Sequence, residues 1–328
     1  MLRFVKIVLF LSVAITLGFY IAHTDLTQVA QSITQIGWNF CWILLLTCCA
    51  YLLGTIAWAY CLGNQSKQIS IYHLFWIRLI GETVSLFNPS SIIGGDFLKA
   101  ELLKPYMIER KSAIRSVVVS RCLMISSQLI LSVLALIILF MRDKSTSFDH
   151  PISSFFGYLI IIFSILGLII FLFVRLIKSL RYKFTSFFSN RFHQFQSKLT
   201  TTLSETKQYY HQEKKALVLS FLFFSLHWFV GSLEFLLILY ALDIHIDMIE
   251  SLAMDMGVIF FKSAGALIPG QIGIEEYGNQ FMLKFIGITG SIWLSVSVVR
   301  RVRQLIWLFL GGISYIMYYR KPLPLQAA

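Results

Sequence analysis

The sequence predicts an all-α integral membrane protein, a polytopic helical bundle with an inverted repeat and two re-entrant helical hairpins. Three observations predict it. Hydrophobic residues make up 57% of the 328-residue chain and charged residues 13%, about half the charge of a soluble domain. Apolar segments of about 20 residues, enough to cross a bilayer, recur along the chain. Two further apolar regions are broken in the middle by Pro and Gly, and they resemble each other.

The composition leaves no long polar tract, so residues 1–328 are expected to form a single transmembrane domain. Apolar spans are expected at 4–22, 38–62, 113–140, 152–174, 216–240 and 292–318. Arg3 and Lys6 precede the first apolar run in the manner of a signal peptide. That run is long and lacks a convincing small-residue cleavage site, so an uncleaved first span is expected. The broken regions run 71–107 around Pro89 and 249–285 around Pro269. With the helices that follow, they define repeat cores at 71–140 and 249–318. In the first, Asp96, Lys99, Glu101 and Lys104 make the returning arm too polar to face lipid, which favours a hairpin over two full spans.

Lys and Arg set the orientation. The loop over 175–215 carries nine of them, and the loop with Asp243, His245 and Asp247 carries none. The assignment that keeps basic loops inside puts both termini in the cytoplasm of an inner (cytoplasmic) membrane. The two broken regions then enter from opposite faces, as in secondary transporters built from inverted repeats. The net charge of +12 lies mostly beside spans, where an anionic membrane surface is the natural partner rather than nucleic acid. In the 175–215 loop, aromatic and basic residues alternate, as in an amphipathic helix lying on lipid. A solvated linker fits that loop nearly as well. The five cysteines show neither CxxC nor metal spacing, so no disulfide, metal or other cofactor is expected. A homo-oligomer is compatible with the sequence.

Sliding the chain 180 positions along itself sets Pro89 on Pro269, Asp96 on Glu276, Lys104 on Lys284 and Arg121 on Arg301. Charges at membrane depth are costly and mark an interior site by default. Asp96 and Glu276 follow the broken turns. There they are expected either to cap the returning helices and pair with Arg121 and Arg301 or to border a site. Unpaired N–H groups at a broken helix attract anions. Gly94, Gly95, Gly270 and Gly273 would let backbone approach a headgroup, and Arg121, Arg300 and Arg301 suit bidentate contact with phosphate. Arg300 and Arg303 also fit snorkelling at an interface. Within helices, Arg78 is expected to pair with Glu82, Asp255 with Lys262, and His227 with Glu234. No nucleotide loop and no HExxH motif is present, so no ATP-driven pump or zinc protease is expected.

On these motifs the chain resembles the lysylphosphatidylglycerol synthase transmembrane-domain-like, or flippase-like, family. The resemblance rests on Pro89, Gly94, Gly95, Asp96 and Lys99 followed by Arg121, and on Pro269, Gly270, Gly273 and Glu276 followed by Arg301. It covers nearly the whole chain. Three features depart from the family pattern. Lys99 stands where Arg is usual. The first loop is one residue longer between Pro89 and Gly94. Glu275 stands where Arg or a small residue is common. In larger relatives this region is credited with moving an aminoacylated lipid between leaflets, and a separate soluble domain makes that lipid. The resemblance therefore implies translocation of a phospholipid or polyprenyl-linked lipid, with no catalytic residues. The alternative is a membrane enzyme or accessory subunit in lipid or glycan assembly. The implied substrate-binding set is Gly94, Gly95, Asp96, Lys99, Arg121, Pro269, Gly270, Gly273, Glu276, Arg300 and Arg301.

Overall fold

The computed structural model describes residues 34–87, 91–143, 213–264, 271, 273–290 and 292–320. The expected spans at 4–22 and 152–174, nearly all of the basic loop, and Pro89, Pro269 and Gly270 lie outside them. The chain divides into a unit of residues 1–139 and 215–328 and a second of 140–214. The site lies wholly in the first.

The described elements are helical. They are α1 (Asn39–Leu62), α2 (Ile71–Phe87), α3 (Ser91–Leu102), α4 (Arg110–Asp143), α5 (Lys214–Ala241), α6 (Met248–Ala264), α7 (Ile274–Phe285) and α8 (Ile292–Arg320). Short 3₁₀ turns follow α1 and α3. The protein is thus an all-α membrane protein, as composition demands. Segments over Asn39–Gln68, Arg110–Leu139 and Lys214–Ala241 are long and apolar enough to cross a membrane. Many large apolar side chains of α4, among them Ile125, Leu129, Val133 and Ile137, are exposed, as lipid contact requires. At 29 residues α8 is as long, but it carries Arg300, Arg301 and Arg303 in its first half.

Both broken regions are helical hairpins of the same proportions. A 17-residue helix is followed by a 12-residue one in α2–α3 and again in α6–α7. Twelve residues reach about 18 Å, well short of the roughly 30 Å hydrocarbon core. Within each hairpin the two arms pack on each other, and α8 packs on both α7 and α2. Close packing of α2 on α3 depends on Gly95, where a Cβ would run into Ser85 and the Gly81 carbonyl. At the head of α6, Asp247 accepts the N–H groups of Ile249 (2.9 Å) and Glu250 (2.8 Å), and Glu250 accepts the N–H of Asp247. This is a reciprocal cap that fixes where the second hairpin begins.

Among the described residues, apolar clusters hold the frame. Trp58 and Leu62 of α1 meet Leu74 and Ile77 of α2, Ala100 of α3 and Val117 of α4. Ala135 of α4 packs with Leu252, Ala253 and Met256 of α6. Phe75 and Leu79 of α2 pack with Trp307 of α8. The first cluster joins the arms of hairpin one to the helix that bears Arg121, and so fixes where that arginine stands.

Candidate functional site

Each hairpin presents an acid to an arginine on the long helix that follows it. In the first, Arg121 Nε donates to Asp96 Oδ2 at 3.0 Å and its Nη2 to Oδ1 at 2.7 Å. In the second, Arg301 Nε donates to Glu276 Oε1 at 2.7 Å and its Nη2 to Oε2 at 3.0 Å. Both are two-pronged charge-assisted contacts, the geometry that makes Arg more than a point charge. Both also join residues 25 positions apart in the chain. The pairing expected from the repeat is therefore present in both halves.

The acids differ in one respect. Glu276 also accepts the Gly273 N–H at 2.8 Å, and Gly273 precedes α7 with φ +82°, so Glu276 is a true cap. Asp96 is not one. It is the sixth residue of α3, and its carboxylate is taken by Arg121 and by Lys99 at 3.2 Å. The first helix begins earlier in the motif than its proline and glycines suggest. Gly94 and Gly95 therefore lie inside α3, where Gly95 serves helix contact rather than an open backbone cradle.

Around the first pair, Lys99 crosses the hairpin to Glu82 at 2.6 Å. Arg78 donates to the Tyr51 carbonyl of α1 at 2.8 Å. The expected Arg78–Glu82 pair is thus replaced by contacts to other helices. A narrow cleft is lined by Arg78, Glu82, Asp96, Lys99 and Arg121 beside Trp58, Met124 and Phe224. Arg301 is not among the residues that line it.

Around the second pair the charges are more deeply packed. Arg300, 3% exposed, meets Asp255 at 2.9 Å and stands 3.4 Å from Glu275. Its guanidinium carbon sits 4.2 Å from the Phe235 ring centre, within cation–π range. Arg303 meets Glu234 at 2.6 Å, and Lys262 meets Glu275 at 3.2 Å. Arg301 also donates to the Gln271 carbonyl at 2.9 Å. The reading of Arg300 and Arg303 as snorkelling groups is overturned, since both point to buried acids. The expected Asp255–Lys262 and His227–Glu234 pairs are likewise replaced. His227 Nδ1 stands 2.7 Å from the Ala50 carbonyl, and Glu234 serves Arg300 and Arg303.

Sequence reasoning placed Gly94, Gly95, Asp96, Lys99, Arg121, Pro269, Gly270, Gly273, Glu276, Arg300 and Arg301 in the site, of which Pro269 and Gly270 lie outside the described residues. The structure gathers Asp96, Lys99 and Arg121 at one hairpin and Gly273, Glu276, Arg300 and Arg301 at the other. It adds Glu82 and Arg78, which helix spacing alone had paired with each other. Spacing alone gave no signal for their partners: Glu82 falls on Lys262 in the repeat, but Glu275, the partner of Lys262, falls on Gly95 and not on Lys99.

Comparison with known families settles the lineage of this arrangement. The family described as the lysylphosphatidylglycerol synthase TM region matches residues 3–312. The chain belongs to that family. Neither a curated protein nor a solved structure matches it. Membership of the lysylphosphatidylglycerol synthase TM region family makes this a membrane protein of lipid-related processes. Both arginine locks lie inside the matched residues.

Proposed function

We propose that the protein binds an anionic or polyprenyl-type lipid at the hairpins and moves it between leaflets, with no catalytic step. The observation that carries the reading is the Asp96–Arg121 lock in a cleft where charged side chains meet apolar ones. A guanidinium that donates two bonds to a carboxylate can donate the same two to a phosphate, so a headgroup would take the place of Asp96 on Arg121. The side chains of Asp96 and Arg121 keep 17% and 23% exposure, so the pair is within reach of a headgroup. Trp58, Met124 and Phe224 beside it suit the start of an acyl or prenyl chain. Hairpin arms too short to span would seat the lock within the bilayer. Two such hairpins entering from opposite faces are the plan by which transporters expose one site alternately. On the Lys/Arg bias this membrane is the inner one, with both termini in the cytoplasm.

The test is the purified chain in liposomes carrying a fluorescent phospholipid, with an impermeant quencher outside. The protein is expected to bring inner-leaflet lipid to the quencher faster than protein-free vesicles do. Arg121→Leu is expected to remove the difference while still inserting. Consumption of a lipid-linked sugar donor with no transbilayer movement would replace this reading with an enzyme or accessory role in envelope assembly.

A further inference from the structure

Glu234 of α5 is buried among charges that belong to other helices. Arg300 and Arg303 of α8, Asp255 of α6, Glu275 of α7 and Tyr51 of α1 face it. The carboxylates of this second cluster are not held alike. Glu276 accepts three hydrogen bonds and Asp255 accepts one. Glu275 has Lys262, Arg300 and Arg301 within 3.4 Å. Glu234, 3% exposed, has Arg303 at 2.6 Å and Arg300 at 3.8 Å. Neither contact is aligned as a hydrogen bond. Among the described residues Glu234 is therefore the acid of the cluster whose charge is held by the fewest bonds.

The turn that carries Glu234 is built to bend. Gly231 and Ser232 form a Gly–Ser pair, one of the few causes of a bend within a helix. No neighbour demands the glycine, because a Cβ there would meet nothing within 4 Å. Ser251, placed by the cap at the head of α6, supplies a second cause. Its hydroxyl donates to the Ser232 carbonyl at 2.5 Å and accepts the Leu236 N–H at 3.2 Å. Those two backbone groups are the ones that close a helical turn. A side chain of α6 is thus wedged into the hydrogen-bond ladder of α5 at the turn of Glu234. That turn is tied to α6 by Ser251 and to α8 by the charge of Glu234.

We propose that Glu234 is a proton-binding site and that its occupation lets α5 bend away from α8 at 231–236. The proton comes from the aqueous phase and goes onto the carboxylate. The cluster of Lys262, Arg300, Arg301 and Arg303 against Glu234, Asp255, Glu275 and Glu276 then changes from neutral to a surplus of one positive charge. Arg303 bears the surplus, because it meets no other acid among the described residues. It is also the arginine placed to turn outward. Its side chain keeps 13% exposure, against 4% for Arg300 and 6% for Arg301. Arg300 retains Asp255 and Glu275, so the second hairpin stays joined to α8 while the tie from α5 is lost. The proton site stands without the lipid reading above. As the step that drives lipid between leaflets, it rests on that reading.

The test uses the full chain in nanodiscs, its native cysteines replaced, between about pH 8 and about pH 5. Infrared difference spectroscopy reads the carbonyl stretch of a buried carboxylic acid. Spin labels at Tyr240→Cys of α5 and Phe309→Cys of α8, both exposed positions, read the distance between the helices. Acidification is expected to bring up the carboxylic acid band and to lengthen the distance. Glu234→Gln is expected to lose the band and to hold the longer distance at both pH values. Glu234→Asp is expected to keep the band at a shifted frequency, and Gly231→Ala to shrink the change in distance. A band that survives in Glu234→Gln, a band that Glu234→Asp leaves unmoved, or a distance that ignores pH overturns the proposal, and the second of these needs only the conservative variant to fold. The liposome assay separates this site from the lipid reading. Band and distance responding as expected while no lipid moves would keep the proton site and retire the lipid reading. Lipid movement with no band and no change in distance would do the reverse.

Discussion

Glu82 and Lys262 occupy equivalent positions in the two hairpins and carry opposite charge. Glu82 receives Lys99 from the returning arm at 2.6 Å, and Lys262 reaches Glu275 of its own returning arm at 3.2 Å. In the repeat alignment Glu275 corresponds to Gly95, four residues before Lys99, so the two tethers lie one helical turn apart on the same face. Each hairpin is thus closed by its own ion pair, with the polarity reversed. The two hairpins share the tether but not the residues that make it.

The first tether couples two helices through a Lys99 side chain that is 7% exposed and a Glu82 side chain that is 35% exposed, so water screens it in part. Glu82→Gln and Lys99→Met are therefore expected each to destabilise the protein, and the double variant by less than the sum. A coupling energy of about 1 kcal/mol is expected, in the range measured for polar contacts between membrane helices. Unfolding in mixed detergent micelles would measure it. Strict additivity of the two substitutions would show that the pair contributes nothing to hairpin closure.

The two acids of the arginine locks should respond differently to truncation. Glu276 serves as both cap and arginine partner, and a Gln at that place still accepts the Gly273 N–H. Glu276→Ala is expected to cost about 1 kcal/mol more than Glu276→Gln, the worth of a typical N-terminal cap. Asp96 caps nothing, so Asp96→Ala and Asp96→Asn should differ less. The comparison needs only the four melting temperatures. An equal gap at both hairpins contradicts the capping distinction.

Much of this was legible in the sequence because it depends on spacing. The 180-residue offset fixed the hairpins and put an acid and an arginine at matching distances in both. Partner choice inside each cluster was not legible. Arg78 and Glu82 share a helix face, but a shared face does not exclude a partner from a neighbouring helix. Lys99, arriving from α3, takes Glu82, and Arg300, arriving from α8, takes Asp255. The place of Asp96 was misjudged for a local reason. Gly94 and Gly95 read as loop, yet small residues inside a membrane helix also allow close packing. Gly95 does that against Ser85.

That packing gives a contrast between two helical glycines. At Gly95 a methyl would meet the Gly81 carbonyl, which is backbone and yields little, whereas at Gly231 of α5 it would meet nothing within 4 Å. Gly95→Ala is expected to destabilise by about 1–3 kcal/mol through overpacking. Gly231→Ala is expected to stabilise by about 0.5–1 kcal/mol, because alanine loses less backbone freedom in a helix. Thermal unfolding of the two single variants reads both signs. A stabilising Gly95→Ala would mean that α2 and α3 are not held as closely as described.

The last prediction concerns orientation. Helix α4 starts with Arg110, Lys111 and Arg115 and ends at Arg142 and Asp143, and α5 starts with Lys214 and Lys215 and ends shortly before Asp243. Both therefore have a basic first turn and reach an acidic residue at or beyond the last. Basic flanks stay in the cytoplasm, so both helices should begin inside and end outside, which requires one further crossing between them. The apolar run at 152–174 supplies it by length. Position 190 then lies inside and position 244 outside. The test is single-cysteine labelling after replacing Cys41, Cys48, Cys49, Cys61 and Cys122. In intact cells an impermeant maleimide is expected to label Ile244→Cys at once, and Asn190→Cys only after the membrane is permeabilised. Labelling of position 190 from outside would reverse the orientation, and with it the face from which each hairpin enters.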